Sequence, residues 1–168
     1  MIVFYIISLV VFVGYVTAIV ARYGVPTSIS ESYYLMPKKY GAPIFSAFCL
    51  LVALPLMIYW FDASPEQWRF LVFLACAPLI FVGVACEFKA DLTSTVHFVS
   101  AIASAVFSQL WIVINTPLWP VSVGLLLLAL VASVCVKGRD ADGNRRSAWL
   151  FWMELAAFVS PYVVLMIM

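Results

Sequence analysis

A chain of 168 residues that is 66% apolar and only 10% charged lacks the polar surface to cover a water-soluble domain. Nine Lys and Arg against eight Asp and Glu leave a net charge of +1, which offers no electrostatic footprint for nucleic acid. The class that remains is an all-α polytopic membrane protein, a helical bundle forming one integral membrane domain over residues 1–168.

A bilayer core about 30 Å thick takes about 20 helical residues to cross. The apolar runs predict six transmembrane helices, roughly 1–21, 42–61, 65–86, 93–114, 118–136 and 148–168. The first run, MIVFYIISLVVFVGYVTAIVA, has no basic residue before it and is too long for a signal-peptide core, so it is expected to be retained as a helix. After it comes SISESYY, Ser28–Tyr34, where Ser28 and Glu31 have the S-x-x-E spacing of a capping box. A helix started there puts Ile29, Tyr33 and Met36 on one face and Ser30, Glu31 and Tyr34 toward the other, and Pro37 limits it to about two turns. The expectation is a short amphipathic helix on the cytoplasmic surface of the membrane, or folded over the bundle.

SPEQ at Ser64–Gln67 has the pattern of a second capping box, with Pro65 at the first helical position. Asn115, Thr116 and two prolines mark the turn into the fifth span. The fourth span carries Thr93, His97, Ser100, Ser104 and Ser108 on one helical face, a stripe suited to close helix packing and interhelical hydrogen bonds. Trp60, Trp68, Trp111, Trp119, Trp149 and Trp152 fall near span ends, where indoles favour the membrane interface. The KGRDADGNRR loop, Lys137–Arg146, lacks the spacing and closing Glu of a calcium loop and reads as a solvated turn.

With six spans, the loops 22–41, 87–92 and 137–147 share one side and hold eight of the nine basic residues, leaving Arg69 on the other. The positive-inside rule puts those loops in the cytoplasm of a cell with an inner (plasma) membrane, and both termini outside it. Cys49, Cys76, Cys86 and Cys135 stand singly in apolar runs without a C-x-x-C, and one histidine leaves little for zinc, so no metal or other cofactor is expected.

Charged and titratable groups in or near the spans need partners, because an isolated charge in hydrocarbon is costly. His97 lies about one turn inside span four, and Glu87, Asp91 and Glu31 are its candidate partners. Glu154, about two turns into span six, needs a neutral carboxyl, a serine or tyrosine partner, or contact with His97. The favoured function is non-catalytic: a cytoplasm-facing polar pocket drawn from Ser30, Glu31, Tyr33, Glu87, Asp91, His97 and Glu154, binding a small ligand, a lipid or a protein partner. One alternative is an ion or small-solute transporter or pore subunit using Glu154 and His97, assembled with further copies of the chain. The other is a membrane-embedded Ser/His/acid hydrolase. Hydrolases related to alkaline ceramidase combine a serine, an aspartate and several histidines around a metal, and the single histidine departs from that pattern. There is no G-x-S-x-G elbow either.

SISESYY, the segment Phe81–Ala85 and the pair Val96–His97 together resemble small multi-pass membrane proteins of bacteria and their viruses that carry an SIS-x-SYY motif and have no known function. The resemblance implies a bacterial-type inner membrane and a site shared by Ser30, Glu31, Tyr33 and His97. It implies no activity.

Overall fold

A computed structural model describes residues 1–87 and 91–168, with the side chains of Asp91 and Leu92 outside the description. The described chain is all-α apart from one small hairpin. Its elements are α1 (Ile2–Tyr23), α2 (Ser32–Leu35), α3 (Lys38–Ala63), a 3₁₀ turn (Glu66–Trp68), α4 (Arg69–Val84), α5 (Asp91–Asn115), α6 (Trp119–Cys135), β1 (Lys137–Arg139), β2 (Arg145–Ser147) and α7 (Trp149–Ile167). Five helical segments are long and apolar enough to cross a membrane: Ile2–Tyr23, Lys38–Ala63, Glu66–Val84, Thr93–Asn115 and Trp149–Ile167. The sixth expected span, α6, has 17 residues and falls short of the other five, because the chain leaves the helix at Val136 to enter β1.

Helices α1, α3, α4 and α5 pack in sequence order, α7 closes against α5, and α6 lies along α7. Phe12, Phe45, Phe48, Val52, Leu71, Val72, Trp111 and Val164 fill the centre. Polar side chains there serve the backbone. Tyr5 donates to the Tyr162 carbonyl at 2.9 Å, and Ser8 donates to the Val52 carbonyl at 2.7 Å while accepting from the Tyr162 hydroxyl at 2.5 Å.

Prolines lie beside several bonds of this kind. A proline inside a helix has no N–H for the carbonyl four residues earlier and crowds the turn before it, so a neighbouring helix must satisfy what is released. Pro161 leaves the Ala157 carbonyl without its helical donor, and the Gln109 amide reaches it at 3.3 Å. The Val52 carbonyl taken by Ser8 lies in the turn before Pro55. The Ala75 carbonyl taken by Ser104 at 2.5 Å lies in the turn before Pro78. The serine stripe of span four thus helps join α5 to α4.

Three local expectations are corrected. The helix in SISESYY is only Ser32–Leu35, shorter than the expected two turns, and Ser28, Ile29, Ser30 and Glu31 before it are buried, so the segment lies against the bundle rather than on a surface. Ser64 does not cap α4, because its hydroxyl turns back to the Trp60 carbonyl at 2.6 Å and closes α3. Trp60 and Trp111 are not interface anchors but a buried edge-to-face pair, ring centroids 5.1 Å apart.

The 137–147 loop is a β-hairpin rather than a simple solvated turn. Gly143, at φ 81°, supplies the left-handed turn position. Arg139 N–H donates to the Val25 carbonyl at 2.8 Å, so the segment after α1 pairs with the hairpin edge. Gly138 permits this approach, since a Cβ there would sit 2.7 Å from the Pro26 carbonyl oxygen. Gly138→Ala is therefore expected to destabilise the protein by about 1–3 kcal/mol through overpacking. Gly14→Ala, where nothing lies within 4 Å, should be neutral or slightly stabilising. Thermal unfolding in detergent checks both, and equal midpoints for the two variants would contradict the close approach.

Candidate functional site

Residues 25–31 are irregular backbone sandwiched among α1, α5, α7 and the hairpin, so their polar groups need partners from the protein. Phe151 N–H donates to the Thr27 carbonyl at 3.0 Å. Ile29 N–H donates to Glu154 Oε2 at 2.6 Å. Glu31 N–H donates to Ser28 Oγ at 2.9 Å, which is one half of the expected capping box. The other half is absent: the Glu31 carboxylate reaches away to accept from Ala141 N–H at 3.0 Å, tying the segment to the hairpin turn. Ser32 donates to the Ile29 carbonyl at 2.5 Å, so its oxygen accepts from the Tyr15 hydroxyl at 2.6 Å.

Ser30 has a different partner. Its Oγ lies 3.0 Å from His97 Nε2, and His97 Nδ1 lies 3.0 Å from the Ala85 carbonyl oxygen. A carbonyl only accepts, so Nδ1 carries the proton in the neutral ring and Nε2 is left as the acceptor for the Ser30 hydroxyl. Both side chains are buried.

Tyr33 donates to Glu87 Oε1 at 3.0 Å at the edge of this region. Burial first, and the adjacent Glu87 second, push the Tyr33 phenol up to about 12. In the hairpin, Asp140 Oδ1 accepts from Asp142 N–H at 3.1 Å and Asn144 N–H at 2.8 Å, and Oδ2 pairs with Arg146 Nε at 2.7 Å. Desolvation pushes the Asp140 carboxyl up, but the Asn144 N–H and the Arg146 charge outweigh it and hold the group below its ordinary value.

Two spaces meet at this knot. A groove of about 1210 Å³ runs between α5, α6 and α7, because α6 packs along α7 and meets α5 only briefly. Its polar end is lined by Ser28, Ser30, Glu31, His97, Asp140 and Arg146, and its far wall by Ile102, Val106, Leu110, Val113 and Leu126. A smaller apolar cavity of about 70 Å³ lies inside the bundle, and Ser30 and Glu154 border both spaces.

The structure thus brings Ser30, Glu31, His97 and Glu154 to one groove. Tyr33 and Glu87 pair with each other beside it, while Lys89 and the side chain of Asp91 lie outside the described residues. Of the carboxylates expected as His97 partners, Glu31 accepts from Ala141 and Glu87 from Tyr33, the side chain of Asp91 lies outside the described residues, and Glu154 accepts from a backbone N–H. Asp140, Asp142 and Arg146 were missed as members of the site. Their only sequence signal is the turn-forming DADGN within a loop of mixed charge. Among the described residues no three His, Cys, Asp or Glu side chains converge as metal ligands would.

Comparison with protein-family models, curated proteins and solved structures gives no match for this chain.

Replacing Glu154 by Leu leaves the Ile29 N–H buried without its acceptor, an expected cost of about 1–3 kcal/mol. Glu154→Gln keeps a carbonyl oxygen in place and should lose much less. Thermal melts of the two variants in detergent check this, and matching losses would show that the Ile29 bond does not carry the effect.

Proposed function

We propose that the protein binds one bilayer amphiphile in the α5–α6–α7 groove, with the head at the hairpin and the chain along α5. The supporting observation is the groove's own polarity, acidic and hydroxyl-bearing at one end and apolar at the other. Ile102 and Val113 on the apolar wall are 62% and 58% exposed, so this wall offers itself to hydrocarbon rather than to a packed core. A lipid presents the same division of character along its length, and binding sites are generally apolar with a few placed polar groups.

The head that fits carries hydrogen-bond donors. Among the described residues, Glu31, Asp140, Asp142 and Glu154 line the groove with one guanidinium, Arg146, which is paired with Asp140. Amine or hydroxyl groups complement such an acceptor-rich end better than a bare phosphate does.

In the membrane, the proposed arrangement is six spans with α6 as the shortest, in a bacterial-type inner membrane. The 22–41, 87–92 and 137–147 loops face the cytoplasm and both termini lie outside it. The concentration of basic residues in those loops supports this orientation. A cysteine introduced by Asn144→Cys, at an exposed hairpin position, should react with a membrane-impermeant thiol reagent in inverted vesicles and not in intact cells. Reaction in intact cells would reverse the orientation.

Native mass spectrometry of protein purified from its membrane should show one amphiphile bound per chain. Ile102→Trp, which fills the groove, should lower that occupancy several-fold. Val99→Trp, at a comparably exposed position on the same helix outside the groove lining, should leave it unchanged. Equal occupancy in both variants would remove the groove as the binding site.

A further inference from the structure

We infer that Ser30 and His97 form a nucleophile–base pair acting on an acyl ester of the amphiphile bound in the groove, an inference that rests on the binding proposed above. The hydrogen-bond partner distinguishes Ser30. Ser8, Ser46, Ser64, Ser104 and Ser160 all donate to backbone carbonyls, which are far too weakly basic to take a hydroxyl proton. Ser30 faces an imidazole nitrogen at 3.0 Å, and the Ala85 carbonyl fixes the ring in the tautomer whose Nε2 can accept.

The pair is also rigidly placed. Flanking residues of Ser30 are held by Glu154 through the Ile29 N–H and by Ser28 through the Glu31 N–H. His97 sits on a long helix, one turn before Ala101. A nucleophile needs this preorganisation, because misplacement by about 1 Å can cost on the order of a hundredfold in rate. The position along the groove fits as well. Ser30 and His97 line it beside Phe98 and Ala101, where the polar end gives way to the apolar wall. In an ester-linked lipid the acyl carbonyl lies at that same junction of head and chain.

The step balances with water as the only co-reactant. Ser30 Oγ attacks the ester carbonyl carbon as its proton passes to His97 Nε2. The carbon–oxygen bond to the alcohol breaks, and the alcohol leaves with that proton, giving an acyl-Ser30 ester. Water from the cytoplasmic mouth then attacks the acyl carbon, giving its proton to His97, which returns it to Ser30 as the fatty acid departs. Glu154 and Glu31 are positioning residues in this scheme.

The test uses an alkyl fluorophosphonate, which phosphonylates an activated serine with loss of fluoride, on the full-length protein in detergent micelles, with peptide mass spectrometry locating the adduct. In the unmutated protein the label is expected on Ser30 and not on its neighbours Ser28 and Ser32, an internal comparison that needs no variant. Ser30→Ala should abolish labelling of the segment, and His97→Gln should slow it by about a hundredfold or more, the usual range of general-base assistance. No label on Ser30, label spread evenly over the three serines, or an unchanged rate in His97→Gln would overturn the pair. Amphiphile occupancy of Ser30→Ala by native mass spectrometry separates the two proposals. Retained occupancy without labelling of Ser30 in the unmutated protein sinks the chemistry alone, whereas Ser30 labelling in a protein that carries no amphiphile sinks the groove as the substrate site.

Discussion

Irregular backbone buried within an apolar bundle is the constraint around which the rest of this protein is arranged. Between α1 and α3 the chain does not skirt the bundle but enters it, and each peptide group taken there loses its water. Partners for the Ile29 peptide N–H and for the segment's polar side chains come from distant parts of the sequence: Glu154 on α7 for Ile29, Ala141 in the hairpin for the Glu31 carboxylate, Tyr15 on α1 for the Ser32 hydroxyl and His97 on α5 for the Ser30 hydroxyl. Each bond joins the segment to a different element. Residues 28–32 are therefore as much a fastening of the bundle as a site, and the strictness of that fastening is what holds Ser30 against one ring nitrogen.

The same rule operates in the helices. Pro55, Pro78 and Pro161 open turns of α3, α4 and α7, and Ser8, Ser104 and Gln109 supply donors to carbonyls in those turns. Gln109 does more, because its carbonyl oxygen also accepts from Ser122 on α6. One amide side chain thus links α5, α6 and α7 where α5 and α6 otherwise diverge. Divergence above that link leaves the groove, and the link limits how far the two helices can part. Of the serine stripe on α5, Ser104 takes part in this bonding to α4, while Ser108 bonds to Ala105 within its own helix.

The helices were legible because hydrocarbon burial imposes a crude, repetitive requirement: long apolar runs separated by short polar ones. Their ends were less so. Ser64 has the right spacing to cap α4, yet the α3 terminus offered a carbonyl 2.6 Å away and took the hydroxyl. Trp60 and Trp111 sit where interface anchors belong, but each found the other across the bundle, and aromatic burial outweighed the interfacial preference. The hairpin escaped notice because strands of three residues carry no readable alternation. Ser30, Glu31, His97 and Glu154 could be singled out as costly residues in an apolar chain. Their partners could not, since Ala85, Ile29 and Ala141 contribute only peptide groups, and every residue has those.

That difference bears on how stability and chemistry divide at the site. Glu154 bonds to the Ile29 N–H, a main-chain group of a buried residue that would be left unpaired without it, so its contribution to folding is direct. Ser30 and His97 bond side chain to side chain, and His97 also meets the Ala85 carbonyl. The Glu154 carboxylate thus has a direct structural task at a main-chain N–H, whereas the Ser30 hydroxyl is aimed at an imidazole nitrogen. The backbone fastening sets where Ser30 stands, and the ring behind it sets what the hydroxyl can do. These two groups line the groove where its wall changes from apolar to polar.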